Sequence, residues 1–86
     1  MAYKILFNAA IEKDLRHIDV TQQKRILDAI QSDLSESPRQ NGTPLKGKFK
    51  GFWKMYVVPY RVIYTVNDRE GTVYIEKIGH RKDVYR

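Results

Sequence analysis

FWKMYVVPYRVIYTV, residues 52–66, reads as two β-strands folded back on one another around a proline. Phe52 to Val58 and Arg61 to Val66 are dense in aromatic and β-branched residues, which fit a pleated, half-buried surface. Pro59 has no N–H to give a ladder, so it belongs at a strand end, in the connecting turn. Side chains alternate along a strand. Trp53, Met55 and Val57 therefore share one face, and Lys54, Tyr56 and Val58 the other. On the next strand Val62, Tyr64 and Val66 point one way and Arg61, Ile63 and Thr65 the opposite way. If helices cover the more apolar face, Lys54, Tyr56 and Arg61 are left on the uncovered side, while Trp53 and Met55 are simplest as core.

The rest of the chain supplies those helices and further strands. After the turn Asn67 to Gly71, Thr72 to Ile78 is a third strand signal, and Tyr3 to Phe7 alternates weakly as a short first strand. Ile11, Leu15 and Ile18 place one apolar stripe on a helix over Ala9 to Ile18. Asp19 or Thr21 can cap a second helix running to about Ser35, with Ile26, Leu27, Ile30 and Leu34 on one side. Val20 is placed to pack back on its first turn. Ser35 to Pro44 is a loop by composition, and Lys46 to Gly51 an irregular, glycine-punctuated edge. The expected architecture is α+β: an N-terminal strand and a helical hairpin packed on one face of a mostly antiparallel sheet, as a single domain over residues 1–86.

The chain has 86 residues and a net charge of +6. Between Ser37 and Asn67 there is no Asp or Glu, only Arg39, Lys46, Lys48, Lys50, Lys54 and Arg61, so this window carries the whole excess. Cations interleaved with Phe49, Phe52, Trp53, Tyr56 and Tyr60 suit a polyanion, nucleic acid above all, although a solvated lysine-rich loop beside a core strand has the same composition. So short a chain has little room for a deep closed pocket, so any chemistry is expected on an open face against a large substrate. The chain lacks cysteine, and it has no HxxxH motif and no paired carboxylates on the basic side. These features give a metal-assisted route or any cofactor little support. No stretch reads as a signal peptide or a membrane span, and the expected location is cytoplasmic.

Three segments resemble the RelE-type toxins of the RelE/ParE toxin–antitoxin superfamily. They are Leu45-Lys46-Gly47; Trp53-Lys54-Met55 with Pro59-Tyr60-Arg61-Val62-Ile63-Tyr64; and the tail Gly79-His80-Arg81-Lys82-Asp83-Val84-Tyr85-Arg86. The order strand, helix, helix, three strands is similar too. The resemblance implies a RelE-like microbial ribonuclease fold and a metal-independent endonuclease that cuts mRNA in the ribosomal A site. It also implies a cognate antitoxin protein as partner, with mRNA and ribosomal RNA as the nucleic-acid partners. In such a reaction the 2′-hydroxyl attacks the adjacent phosphate, and arginine forks bind phosphate oxygens and stay cationic.

Carried onto this chain, the resemblance makes Arg61 the ligand of the scissile phosphate and Arg81 the stabiliser of the transition state or helper of the leaving group. Tyr85 would stack on a base or orient the attacking hydroxyl. Lys54, crowded by like charges, is a candidate general base or a phosphate ligand. Lys46, Lys48, Lys50, His80 and Arg86 complete an RNA-binding set, His80 as a possible proton shuttle. Tyr56 departs from the family, which often has a second Lys or Arg there. Structural alternatives stand beside these roles: Arg61 paired with Asp68 or Glu70, Arg81 with Asp83, Tyr85 and His80 packed under the tail, and His17 a partner of the first helix's dipole. Two other functions share these features, a ParE-type inhibitor of DNA gyrase and a non-catalytic basic RNA-binding module.

Overall fold

The computed structural model describes residues 2–80 and 82. Its strands are β1 (Lys4–Phe7), β2 (Thr43–Pro44), β3 (Trp53–Val57), β4 (Tyr60–Asn67) and β5 (Thr72–His80). The helices are α1 (Ile11–Arg16) and α2 (Val20–Ala29), the latter continuing as a wider π turn over Ile30–Leu34. The sheet order is β1-β5-β4-β3-β2. β1 runs parallel to β5, and every other neighbouring pair is antiparallel. The expected α+β architecture is the observed one.

Both helices begin with an Asx device. The Asn8 carboxamide accepts from the Ala10 N–H at 2.8 Å, and Asp19 accepts from the Thr21 N–H at 3.1 Å. Gln23 then fastens the corner between the helices, donating to the carbonyls of Leu15 and Ile18 at 2.7 and 2.8 Å. Two local expectations change. α1 is shorter than its apolar stripe, because the chain turns at both ends of it. Val20 is 76% exposed, so it opens α2 facing solvent instead of packing back.

Ile11, Ile18, Ile26, Ile30 and Leu34 come down from the helical side onto Met55, Val62, Tyr64, Val73, Ile75 and Ile78. The strand residues in that set are those the period-two pattern turns to one face, with one change of phase. Ile63 of β4 pairs with Lys77, but Tyr64 pairs with Ile75, so Glu76 is an extra residue in β5. This bulge lets Val73 and Ile75 before it, and Ile78 after it, all reach the core. β1 stops short of this part of β5. There the carboxylate of Asp14 on α1 accepts the Ile78 N–H at 3.2 Å, satisfying an amide no strand reaches on that side.

The long connection before β2 is held from below by Tyr64, whose ring is fully buried. Its hydroxyl donates to the Pro38 carbonyl at 2.6 Å, and burial pushes its acidity up to about 12. A side chain on Gly42 would put its Cβ 1.7 Å from that hydroxyl and 3.0 Å from the Lys54 carbonyl. Glycine is required there by space. Gly42→Ala is therefore expected to cost about 1–3 kcal/mol in denaturant unfolding, less in a Tyr64→Phe background. In the unfolded chain Tyr64 loses its proton near 10, whereas the folded site holds it to about 12. Stability that is complete below pH 10 should thus fall as pH rises from 10 towards 12, and unfolding of Tyr64→Phe should lack this component.

Candidate functional site

Antiparallel register decides which side chains meet on the helix-free face. Tyr56 of β3 stands opposite Arg61 of β4, which stands opposite Gly79 of β5. One step along, Lys54 stands opposite Ile63, and Ile63 opposite Lys77. Two adjacent rows thus hold three cations and a tyrosine, with neighbouring strands roughly 4.8 Å apart. The Arg61 guanidinium lies 4.8 Å from the centre of the Tyr56 ring, and its Nη2 donates to the Tyr56 hydroxyl at 2.6 Å. The Lys54 ammonium lies 5.4 Å from the same ring. Hydrogen bonding toward Lys54 is the largest influence on the Tyr56 hydroxyl; burial opposes it, the positive charges of Arg61 and Lys54 add smaller pulls the other way, and the net result lies below the ordinary tyrosine range. The ring itself is 48% exposed.

Lys54 and Arg61, named from sequence, are therefore brought together. Of the acids suggested as alternative partners of Arg61, Asp68 is engaged elsewhere. It accepts from Arg39 at 2.8 Å and from the Tyr3 hydroxyl at 2.7 Å, and both contacts hold its carboxyl below the usual range. Lys46, Lys48 and Lys50 are exposed around a short 3-10 turn, Gly47–Phe49, between β2 and β3. His80 is not on the Arg61 face. It stands opposite Tyr60, meets that ring edge-on at 6.2 Å, and accepts the Lys82 N–H at its Nδ1. With Asp14, His17 and Ile18 these two rings line a cavity of about 330 Å³ at the end of α1. Arg81, Tyr85 and Arg86 lie outside the described residues.

Lys77 is the site residue that sequence reasoning missed. Strict alternation from Val73 and Ile75 sends it into the core. The bulge at Glu76 reverses the phase and sends it to the helix-free face beside Ile63. Two adjacent polar residues, Glu76 and Lys77, between Ile75 and Ile78 were the available signal.

A one-sided α+β sheet with a cluster of cations on its open face defines the class of this protein. Comparison with known proteins gives the class a family. Residues 5–85 match the model of the ParE toxin of type II toxin-antitoxin systems. Toxin RelG of Mycobacterium tuberculosis is 29% identical over 86 residues, covering 100% of this chain and 99% of that protein. The toxin–antitoxin complex RelBE2 of the same organism contains a chain that superposes with a TM-score of 0.89 at 26% identity, covering 94% of this chain and 100% of that one. In the intact Escherichia coli RelBE complex the figures are 0.75 and 25%, over 92% and 96%. The chain belongs to the ParE toxin family, within the RelE/ParE superfamily of type II toxin–antitoxin systems.

The site makes one spectroscopic prediction. In ultraviolet titration, the transition assigned by its loss in Tyr56→Phe should fall below that of a free tyrosine. Lys54→Met should move it back upward, more than Arg61→Ala does, because Lys54 is the larger cause.

Proposed function

We propose that this toxin is an endoribonuclease that cuts mRNA in the ribosomal A site, without a metal, by attack of a 2′-hydroxyl on the adjacent phosphate. The observation that carries this reading is the row pair on the helix-free face, where Arg61 and Lys54 converge on Tyr56 with Lys77 one strand beyond. In this reading Arg61 holds the scissile phosphate, and fixed cations facing developing negative charge are worth roughly 3–4 kcal/mol for a well-placed donor. Lys54 and Lys77 extend the positive field on either side of Ile63. Lys46, Lys48 and Lys50 give the adjoining edge further contacts for an RNA backbone. Arg81 and Tyr85 keep the roles that the family resemblance implies for them, transition-state stabilisation and base stacking. A cognate antitoxin is the second partner: the similar structures above are toxin–antitoxin complexes, and a cationic surface of this kind suits an acidic partner chain.

A second reading, inhibition of DNA gyrase, is favoured by one observation, the ParE description of the matching family model. Fold is common to both readings, so the site must decide. Toeprinting on translating ribosomes with purified protein is expected to show codon-positioned cuts, with Arg61→Ala slower by about 100- to 1,000-fold and binding falling steeply with salt. No cuts, together with inhibition in a gyrase supercoiling assay, would reverse the assignment. Ribosome binding without product in every variant would leave a non-catalytic RNA-binding protein.

A further inference from the structure

The helix-free face needs a group that can take a proton. Arg61 stays cationic under all ordinary conditions. Among the described residues on this side of β3, β4 and β5, the charged groups around Tyr56 are Lys54, Arg61 and Lys77. The acid on these strands, Glu76, is at the bulge and accepts from the Asn8 carboxamide at 3.4 Å. His80 faces the helical side with Tyr60. The phenolic oxygen of Tyr56 is set apart here, because a guanidinium donates to it and an ammonium stands beside its ring. Arg61 Nη2 donates at 2.6 Å, and the Lys54 ammonium lies 5.4 Å from the centre of the same ring. Cations held this close stabilise an oxygen that carries negative charge, which is the form that accepts a proton.

Position agrees with chemistry. In RNA the 2′-hydroxyl and the scissile phosphate are on the same ribose, so the group that deprotonates one must stand beside the group that holds the other. Tyr56 stands one hydrogen bond from Arg61, on the opposing residue of the neighbouring strand. Its half-exposed ring leaves the hydroxyl open to a substrate arriving from solvent.

Resting on the nuclease reading, we propose that Tyr56 is the general base of this toxin, its phenolic oxygen taking the proton of the attacking 2′-hydroxyl while Arg61 and Lys54 hold that oxygen in place. The 2′-oxygen uses the released electron pair to bond to phosphorus. The bond from phosphorus to the 5′-oxygen breaks, its pair stays on that oxygen, and a proton from solvent water completes the 5′-hydroxyl. The other product is a 2′,3′-cyclic phosphate. Tyr56 then returns the captured proton to water, so no oxidant, reductant or metal enters the balance. In this account the residue that departs from the family's usual Lys or Arg keeps the site working by a different base. Lys54 becomes a donor to that base and a ligand of phosphate.

The test is single-turnover cleavage of a defined mRNA on programmed ribosomes, followed across pH with the full chain. The wild type is expected to show a rate that rises with pH and levels off below the ordinary tyrosine range. Tyr56→Phe should lower the plateau by about 100-fold or more, abolish the rise, and leave ribosome affinity within about threefold. Replacing Tyr56 by 3-fluorotyrosine, a more acidic phenol of nearly the same size, should move the rise to lower pH. If the wild type cuts and Tyr56→Phe cuts at a similar rate with the same pH profile, the base is another group and the proposal is overturned, while the nuclease reading stands. A Tyr56→Phe loss with no displacement of the fluorotyrosine profile overturns it too, since a residue that only positions Arg61 behaves that way. If the wild type leaves mRNA intact, the nuclease reading fails and takes Tyr56 with it.

Discussion

The pleat of β4 is the constraint on which both halves of this molecule depend. Val62 and Tyr64 are buried completely under the helices, so Arg61 is forced to the other side of the same strand. A slip of one residue would bury a guanidinium and expose the centre of the core. Core and site are therefore two readings of one register, and the apolar burial that stabilises the fold also aims the cation. The Tyr64 hydroxyl extends that arrangement outward. By holding the Pro38 carbonyl over a position where only glycine fits, it fixes the loop that leads into β2.

Electrostatics on the helix-free face follow from the same register. Cross-strand pairing sets Tyr56 directly against Arg61, and the next row brings Lys54 and Lys77 to the two sides of Ile63. Like charges so arranged repel one another. A phenol set among them eases the crowding, accepting from Arg61 and lying beside Lys54. Among the described residues, several acids are drawn off elsewhere: Asp68 to Arg39, Asp28 to Lys24, Glu12 to Arg16 and Asp14 to the edge of β5.

Much of this was legible in the residues, for reasons that differ by element. The β3–β4 hairpin announces itself because two runs dense in aromatic and β-branched residues flank Pro59, and its two faces follow from the period of a strand. α2 shows through Ile26, Ile30 and Leu34, all of which reach the core. Other features carry no periodic signal. β2 is two residues long, and its place in the sheet comes from pairing with Lys54 and Trp53. Lys77 was hidden because a bulge changes the phase of a strand, and a bulge is a property of two paired strands together. Val20 misled because an apolar residue before a helix can pack inward or stand in solvent, and the turn at Asp19 decides which.

The brevity of β2 has a consequence for how copies of the protein meet. A long, flat outer strand would offer its free N–H and C=O groups to a neighbouring molecule as a template for open-ended stacking. Here the edge strand beside β3 spans only Thr43 and Pro44, and the proline brings no N–H to share. The exposed lysines at 46, 48 and 50 follow at once, so molecules approaching along that rim repel one another. The cations of that window thus discourage a small sheet protein from polymerising through this border.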